Sequence, residues 1–370
     1  MVHYIRLLRT PQTATSKKAI DVSAVIAVTT DLGDALYPAD VSLHVEVVEA
    51  NYPHDTLCAT SLEWKATSRA LKFTVQCPSK YLSRPALLHV TTKETTDTLK
   101  ALHIPQILDV WSVEFSLSDK QRTEPVVERR LWLGNKSCVR MTEETGDSIA
   151  RHIWFVNIFA SKYNPADLSR DASLGFLIYF DKAMSQSSTV GTSAISEVMK
   201  NTKVRRLKVL ELGAGCGIVG VAFAQLVKCD MLLTDLEDAQ EILGSNIRLA
   251  SLAAGSTIQA QNLDWETGLD DSSNANFDLI LVSDCIYNPE SSLHLVKTLR
   301  QLALRAPHVL ILVGFKRRHE ADTIFFERMQ QTQFKVLESI NIPLPHQNTD
   351  HDPDIPTAEF YTYKLSIGTT

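Results

Sequence analysis

A glycine-rich segment near the middle of the chain has the residue types and spacing of a ligand-binding turn. Residues 207–220 run from an apolar stretch into glycines at alternate positions, Gly213, Gly215 and Gly217, and then into an apolar helical pattern. Glycine lets the backbone approach a ligand closely and adopt angles that a Cβ disfavours. The helix that follows offers free N–H groups at its N-terminus. The pattern therefore predicts a turn that binds a nucleotide-like cofactor.

Two cofactor classes fit this turn. Gly215, Gly217 and Gly220 match the G-x-G-x-x-G fingerprint of dinucleotide binding, which would indicate NAD. In dinucleotide sites, however, the first fingerprint glycine closes the strand, whereas here Gly213 does so. Glu211 lies inside the strand, where a charge is costly unless it meets a ligand, water or a backbone donor. Its carboxylate would repel a pyrophosphate but not a cationic sulfonium amino acid, so the Glu-x-Gly-x-Gly-x-Gly spacing favours S-adenosylmethionine.

Acidic and aromatic residues follow three later apolar segments. In chain order they are Asp235 with Leu236, Asp264 with Trp265, and Ser283, Asp284 and Tyr287. Helix-length segments separate the apolar runs, which are 207–212, 231–234, 278–283 and 309–313. This alternation predicts βαβ units and a parallel sheet. Because ligands of such sheets bind at the carboxyl ends of the strands, these residues are candidates for one site.

The order of these motifs resembles a known enzyme family. The segments that carry the likeness are Thr234-Asp-Leu-Glu-Asp, Phe277-Asp-Leu-Ile, Ser283-Asp-Cys-Ile-Tyr-Asn-Pro-Glu-Ser, Phe315-Lys-Arg-Arg and Ile324-Phe-Phe-Glu-Arg-Met. They resemble the seven-strand methyltransferase family 16, the methyltransferase-like 21 group, whose members are mostly protein lysine methyltransferases. The likeness covers roughly residues 148–365. It implies an enzyme that transfers a methyl group from S-adenosylmethionine, its cofactor, to a protein lysine.

The resemblance also implies a role for each candidate. The cofactor-binding residues divide into Gly213, Gly215, Gly217 and Glu211 for the methionine portion, Asp235 for the ribose hydroxyls with Leu236 beside it, Asp264 and Trp265 for the adenine, and Ser283 next to the sulfonium. Trp154, upstream of the turn, belongs to the same cofactor-binding set. Asp284 lies beside the sulfonium and Tyr287 borders the acceptor lysine, so these two are the catalytic candidates.

The chemistry of the acceptor defines what Asp284 can do. A lysine attacks only when it is neutral, yet its unperturbed pKa is about 10.4, and a nearby carboxylate raises that pKa further. We therefore expect Asp284 to capture and orient the incoming ammonium, while the proton leaves to water. The ring face of Tyr287 can attract the same cation. Because methyl transfer is an in-line displacement, positioning should supply much of the rate gain.

One segment departs from the family pattern. The family carries an unbroken Trp-Asp-Ala before the first motif, whereas here residues 155–170 separate Trp154 from Asp171. Asn164-Pro165 near the end of this segment favours a turn. We expect the segment to loop out beside the cofactor pocket and a helix to start near residues 169–171. A genuine insertion and a gene-model artefact are both open, and with them the cofactor role of Trp154.

The N-terminal part of the chain has a different pattern. Polar and apolar residues alternate along 71–77 and 111–117, which predicts strands with one buried face. We therefore expect a β-rich accessory domain at residues 1–146, followed at 147–370 by an α/β domain of the Rossmann-like, seven-strand methyltransferase class. The accessory domain shows no catalytic constellation, which favours a scaffold or docking role.

Composition and charge argue against several classes of protein. A net charge of −6 disfavours a broad electrostatic contact with nucleic acid. The six cysteines lack metal-binding spacing, so we expect reduced thiols, no metal and no disulfide. No apolar run approaches the roughly 18 residues that span a bilayer, and the N-terminus lacks the apolar core of a signal peptide. These features predict a protein of the cytoplasm, and also of the nucleus, that binds neither nucleic acid nor membrane.

Four hypotheses on function follow. The first is a protein lysine methyltransferase, whose substrate the resemblance implies to be a lysine-bearing protein such as an AAA ATPase or another chaperone or translation protein. The second is a methyltransferase for another acceptor, such as histidine or a small molecule. The third is a binding module that has kept the methyltransferase fold and lost turnover. An NAD-dependent oxidoreductase comes last, because the position of Gly213 disfavours it.

Overall fold

The computed structural model of the protein consists of two compact units. The structure describes residues 2–16, 18–30, 33, 35–51, 54–92, 104–118, 123–133, 137–144, 172–184, 194–200, 205–268, 276–286, 289–317, 322–344 and 357–366. Within these residues the first unit ends at Glu144 and the second begins at Ala172. The domain boundary expected between residues 146 and 147 lies outside the described residues and stays a prediction.

The first unit is made of β-strands. They are β1 (His3–Thr15), β2 (Ala19–Thr29), β3 (Val41–Glu49), β4 (Thr56–Trp64), β5 (Leu71–Pro78), β6 (Pro85–Thr92), β7 (Ile107–Leu108), β8 (Val110–Ser112), β9 (Phe115–Ser116), β10 (Val126–Trp132) and β11 (Cys138–Glu144). One sheet has the order β5-β2-β1-β7, and the other has the order β11-β10-β8-β6-β3-β4 with β9 paired to β6. Buried side chains of both sheets form one apolar core, so the predicted β-rich N-terminal part is confirmed.

The alternation of apolar and polar residues correctly predicts the buried face of β5, whereas the run 111–117 departs from a single strand. Phe73, Val75 and Cys77 of β5 are buried, while the residues between them are exposed. The run 111–117 instead divides into β8 and β9, which both pair with β6. His89 pairs with Trp111, and Pro85 pairs with Ser116. The stretch of chain from Trp111 to Ser116 is one residue longer than the stretch of β6 from Pro85 to His89 that it faces. That extra residue interrupts the strand, as a β-bulge does.

Two cysteines of the first unit correct the expectation of free thiols. A disulfide joins Cys58 in β4 to Cys77 in β5, with their Cα atoms 5.3 Å apart. The two strands belong to different sheets, so only the packing of one sheet on the other brings the sulfurs together. The expectation that the chain has no disulfide is therefore wrong for this pair. Within the described residues, Cys138, Cys216, Cys229 and Cys285 take no part in a disulfide.

In its described residues, the second unit contains one seven-stranded sheet and six α-helices. The strands are β12 (Leu207–Leu212), β13 (Cys229–Asp235), β14 (Thr257–Asn262), β15 (Leu279–Ser283), β16 (Leu310–Phe315), β17 (Phe334–Pro343) and β18 (Thr357–Leu365). The helices are α1 (Ala172–Met184), α2 (Ala194–Lys200), α3 (Ile218–Leu226), α4 (Gln240–Leu249), α5 (Pro289–Arg305) and α6 (Thr323–Gln331). The sheet order is β14-β13-β12-β15-β16-β18-β17, with β18 antiparallel to both of its neighbours. The α/β fold expected from the apolar runs is confirmed, as is the seven-strand sheet that the resemblance implies.

Helices cover both faces of this sheet. Alternation along β18 directs Phe360 to one face, where its ring meets Phe176 of α1. Tyr363 lies on the other face, in a core cluster with residues of α5 and α6. Helix α1 approaches the sheet closely because two glycines leave room: a Cβ on Gly175 would lie 2.7 Å from that of Ala358, and one on Gly314 would meet the ring of Phe176. This close approach fixes where α1 begins relative to the strand ends.

Among the described residues, no helix has the length and apolar character that crossing a membrane requires. The same residues contain no cluster of His, Cys, Asp and Glu side chains that could hold a metal ion.

Candidate active site

The glycine turn forms the centre of the candidate site. It follows β12, whose neighbours in the sheet are β13 and β15. Gly213, Gly215 and Gly217 have left-handed φ angles of 67°, 58° and 84°, which glycine adopts at little cost. A Cβ on Gly213 would lie 2.5 Å from the Sγ of Cys285 and 3.1 Å from the ring of Trp265. The backbone of this turn is therefore enclosed by two other segments of the chain and tolerates no side chain at Gly213.

Asp235 ends β13 and contacts the glycine turn. Its Oδ2 accepts a hydrogen bond from the amide of Gly215 at 2.7 Å, and its Oδ1 accepts one from the amide of Leu236 at 2.7 Å. Burial raises the pKa of Asp235, although these two amide hydrogen bonds act in the opposite direction. Leu236 is 36% exposed at the same strand end, which provides an apolar surface next to the acid.

Glu211 points toward helix α3. Its Oε2 accepts a hydrogen bond from the amide of Gly220 at 2.8 Å, and the side chain is buried. Burial raises the pKa of Glu211 to about 8, and the charge of Asp235 adds to that rise, while the amide hydrogen bond lowers it. The carboxyl group therefore holds the first turn of α3 against the strand. Its contribution to the cofactor's amino end stays a prediction.

Asp264 and Trp265 bring a third segment to the glycine turn. Asp264 Oδ1 accepts a hydrogen bond from the amide of Glu266 at 2.9 Å, which fixes the turn that carries the tryptophan. The ring of Trp265 lies against Gly213. Its indole N–H is buried and has no hydrogen-bond partner within the described part of the chain. A buried donor without a partner costs free energy, so a ligand that accepts this hydrogen bond would stabilise the site.

Ser283 and Asp284 end β15 on the other side of the turn. Asp284 has a left-handed φ of 56°, and its amide donates to the carbonyl of Gly314 at 2.9 Å. Non-glycine residues in this conformation are concentrated at functional sites, and aspartate tolerates it better than most. The Oγ of Ser283 lies 3.2 Å from the Oγ of Ser173 in α1.

Ser173 is a site residue that the sequence reasoning missed. Its separation from Ser283 is 110 positions along the chain, and no local pattern connects them. The signal that could have found it is its place two residues after Asp171, in the segment that resembles the right half of the family's Trp-Asp-Ala motif.

Trp154 and Tyr287 lie outside the described residues, as does the segment 155–170. The expected helix start near residues 169–171 lies outside them too, and the first described residue of α1 is Ala172.

The chemistry of the described residues fits S-adenosylmethionine. The turn has left-handed backbone at three glycines, the carboxylate of Asp235 can accept hydrogen bonds of the kind that a ribose diol donates, and Trp265 offers a ring and a donor that has no partner among the described residues. A seven-stranded sheet with one reversed strand and this turn after a central strand defines a methyltransferase that depends on S-adenosylmethionine.

Comparison with known proteins gives the family. A family model described as lysine methyltransferase matches residues 134–332, more than half of the chain. The protein therefore belongs to the lysine methyltransferase family, and its activity is the transfer of a methyl group from S-adenosylmethionine to a protein lysine, as the sequence predicts.

Three relatives illustrate how far the similarity extends. The UPF0665 family protein C23C4.06c of Schizosaccharomyces pombe is 25% identical over 334 residues, which cover 88% of this chain and 92% of that protein. EEF1A lysine methyltransferase 3 of Mus musculus is 33% identical over 181 residues, 48% of this chain and 68% of that protein. Protein N-lysine methyltransferase METTL21A of Danio rerio is 32% identical over 142 residues, 38% of this chain and 63% of that protein. The first relative thus also matches most of the β-rich unit.

Proposed function

We propose that the carboxyl ends of β12, β13 and β15 hold S-adenosylmethionine in a defined orientation. Gly213, Gly215 and Gly217 pass under its methionine portion, where Glu211 also contributes through the turn. The ribose hydroxyls donate to Asp235, while Leu236, Asp264 and Trp265 surround the adenine, and Ser283 lies beside the sulfonium. The observation that carries this proposal is the junction at Gly213, where Trp265 and Cys285 close on a backbone in the left-handed conformation.

Asp284 is proposed to orient the acceptor lysine. When bound, the cofactor supplies a methyl group that is activated by the positive sulfur. The chain's part is to hold the acceptor nitrogen in line with that methyl group. The carboxylate of Asp284 attracts the incoming ammonium and fixes its direction, and the proton leaves to water before the neutral amine attacks. Tyr287 is proposed to border the same lysine, and Trp154 the adenosine.

The substrate is proposed to be an intracellular protein of the chaperone or translation machinery, such as an AAA ATPase. The name of one relative, an EEF1A lysine methyltransferase, supports a substrate of this class, and the name of another, a protein N-lysine methyltransferase, supports a protein lysine as the acceptor. The proposed compartments are the cytoplasm and the nucleus. The β-rich unit, residues 1–146 in the predicted division, is proposed to dock the substrate or another partner.

Three measurements test this proposal. Calorimetry should detect binding of S-adenosylhomocysteine and no binding of NAD, and the reverse result contradicts the cofactor assignment. Incubation with labelled S-adenosylmethionine and a native cell extract, followed by mass spectrometry, should find methyl groups on lysine; label on histidine or on small molecules contradicts the proposed acceptor. Asp284→Ala should lose at least about 100-fold in turnover while its affinity for S-adenosylhomocysteine changes little. Unchanged turnover of that variant contradicts the role of Asp284.

A further inference from the structure

A second charged group stands at the carboxyl edge of the sheet, one strand beyond Asp284. Arg317 follows the end of β16, and its Nε and Nη2 donate to the two carboxylate oxygens of Glu359 at 2.8 and 2.9 Å. The hydroxyl of Tyr361 donates to Glu359 Oε2 at 2.8 Å. The guanidinium lies 5.6 Å from the ring centroid of Phe315 and 5.8 Å from that of Phe326. Contacts to a carboxylate and two rings thus hold the guanidinium in one orientation.

The strand register brings this group close to the proposed acceptor site. Ser283 is paired with Gly314, and the amide of Asp284 donates to the carbonyl of Gly314 at 2.9 Å. Arg317 follows Gly314 by three residues, which corresponds to at most about 10 Å of extended chain. A single extended segment of a bound protein can therefore reach both Asp284 and Arg317.

The ion pair between Arg317 and Glu359 contributes little to the stability of the fold. The side chain of Arg317 is 45% exposed, and exposed ion pairs contribute about 0–1 kcal/mol. The pair with Glu359 uses Nε and Nη2, so Nη1 and its two hydrogens lie outside it. An arginine whose orientation is already fixed loses less entropy when it donates to another anion. The oriented guanidinium of Arg317 is therefore suited to binding an anionic group of another molecule.

We propose that Arg317 determines substrate specificity by donating from Nη1 to an aspartate or glutamate carboxylate of the protein substrate. The proposal rests on the proposed function, because it places the acceptor lysine at Asp284. Glu359 already balances the charge of Arg317, which favours a singly charged carboxylate over a phosphate dianion. Since a strand rises about 3.3 Å per residue, the acidic side chain lies within about three residues of the lysine in an extended segment.

A matched pair of arginines makes the test specific. Arg205 also forms a bidentate ion pair, with Asp278, and its side chain is 60% exposed. It lies at the opposite, amino edge of the same sheet, because Asp278 immediately precedes β15. Arg205→Gln is therefore the control for Arg317→Gln, and Arg317→Lys is a second variant that keeps the charge but loses the planar fork.

The experiment uses the full chain and a substrate that it identifies itself. The wild-type enzyme labels a native cell extract, mass spectrometry locates the methylated lysines, and the most strongly labelled protein is purified with and without its neighbouring acidic residue. We expect Arg317→Gln to raise KM for this protein about tenfold, the size of one charge-assisted hydrogen bond, with unchanged kcat and unchanged affinity for S-adenosylhomocysteine. Arg317→Lys should raise KM less, and Arg205→Gln should leave it unchanged.

Removal of the acidic residue from the substrate should raise KM for the wild type by the same factor and add nothing for Arg317→Gln. Additive losses, an unchanged KM of Arg317→Gln, or methylated lysines without acidic neighbours would overturn the role of Arg317 and leave lysine methylation intact. A wild-type enzyme that binds S-adenosylhomocysteine but labels no protein would overturn the proposed function and this inference together.

Discussion

Two acids at opposite edges of the methyltransferase sheet, Asp278 and Asp235, have pKa values shifted in opposite directions. At the amino edge, Asp278 accepts hydrogen bonds from Arg205, at 2.6 Å from Nη1, and from the amide of Lys208 at 2.9 Å. Burial of Asp278 acts to raise its pKa, but these hydrogen bonds outweigh that effect and the pKa is lowered. At the carboxyl edge, burial dominates and the pKa of Asp235 is raised. Asp278 at the amino edge is paired with the cation of Arg205, whereas Asp235 at the carboxyl edge accepts hydrogen bonds from two backbone amides.

This difference indicates what each edge is for. The ion pair between Asp278 and Arg205, at the amino end of β15, contributes to stability. A partly buried acid with a raised pKa next to left-handed backbone costs folding free energy, and such features are concentrated where a ligand binds. The carboxyl edge, with Asp235, Gly213 and Asp284, has that character. The following substitutions, from the largest expected effect to the smallest, test the contrast between the edges.

Gly213→Ala at the carboxyl edge and Gly255→Ala at the amino edge should show the largest difference in effect on cofactor binding. Both glycines have left-handed φ angles, 67° and 80°. A Cβ at Gly213 would press on Cys285 and Trp265, whereas at Gly255 it would meet the flexible side chain of Lys228 at 3.1 Å. Strain and overpacking together cost about 3 kcal/mol. We expect Gly213→Ala to weaken S-adenosylhomocysteine binding about 100-fold by calorimetry, while Gly255→Ala lowers Tm only. Similar dissociation constants for the two variants would remove the proposed difference.

Asp235→Ala and Asp278→Ala should have complementary effects. Loss of the proposed ribose acceptor at Asp235 should weaken S-adenosylhomocysteine binding by about 10- to 100-fold. Loss of Asp278 leaves Arg205 without its partner and should lower the free energy of unfolding by about 1 kcal/mol, with no change in affinity. Urea unfolding and calorimetry on the same samples distinguish the two results. A loss of affinity in Asp278→Ala would show that the amino edge supports the site after all.

The two edges should also differ in their response to pH. Glu211 has a folded pKa of about 8 against an ordinary value of 4.5. Below the ordinary value both states are protonated; as pH rises toward 8 the unfolded state ionises first, so stability is lost. Asp278 has a lowered pKa and loses its contribution as pH falls into the acid range.

The difference in Tm between Glu211→Gln and the wild type should therefore increase, in favour of the variant, from about pH 5 to about pH 8.5. The increase amounts to several degrees if the pKa shift contributes about 1–2 kcal/mol. Thermal unfolding at both pH values measures this gain. Asp278→Asn is the control, and its deficit relative to the wild type should be the same at both values. A constant difference between Glu211→Gln and the wild type would mean that Glu211 does not hold its proton in the folded state.

Ser173→Ala should have the smallest effect. The hydroxyl lies 3.2 Å from that of Ser283 at the carboxyl edge, and one neutral hydrogen bond contributes about 0.5–1.5 kcal/mol. We expect turnover or cofactor affinity to fall about two- to tenfold. Ser196→Ala removes a similar hydroxyl, which donates to the carbonyl of Ala183 in the same unit, and should affect stability alone. Equal activity of the two variants would exclude Ser173 from the site.

Local sequence patterns predict the framework of this protein. Four apolar runs correspond to β12, β13, β15 and β16, and alternation predicts the buried face of β5. These features depend on neighbours along the chain, since strand periodicity and the conformational freedom of glycine act over a few residues. The strand ends that carry Asp235, Asp264 and Asp284 follow from the same patterns, together with the rule that parallel strands bind ligands at their carboxyl ends.

The direction of side chains and the contacts between distant segments depend on tertiary packing. Glu211 turns toward α3, Ser173 reaches Ser283 because Gly175 and Gly314 let α1 approach the sheet, and Arg317 meets Glu359 across 42 positions of the chain. Cys58 and Cys77 meet because two sheets share one core. The sequence by itself determines the class of enzyme, the cofactor and the strand ends, because these depend on short motifs. Which residues face one another across the site is decided by how helices and sheets pack, because burial of apolar surface is not directional and fixes positions only when the whole unit is assembled.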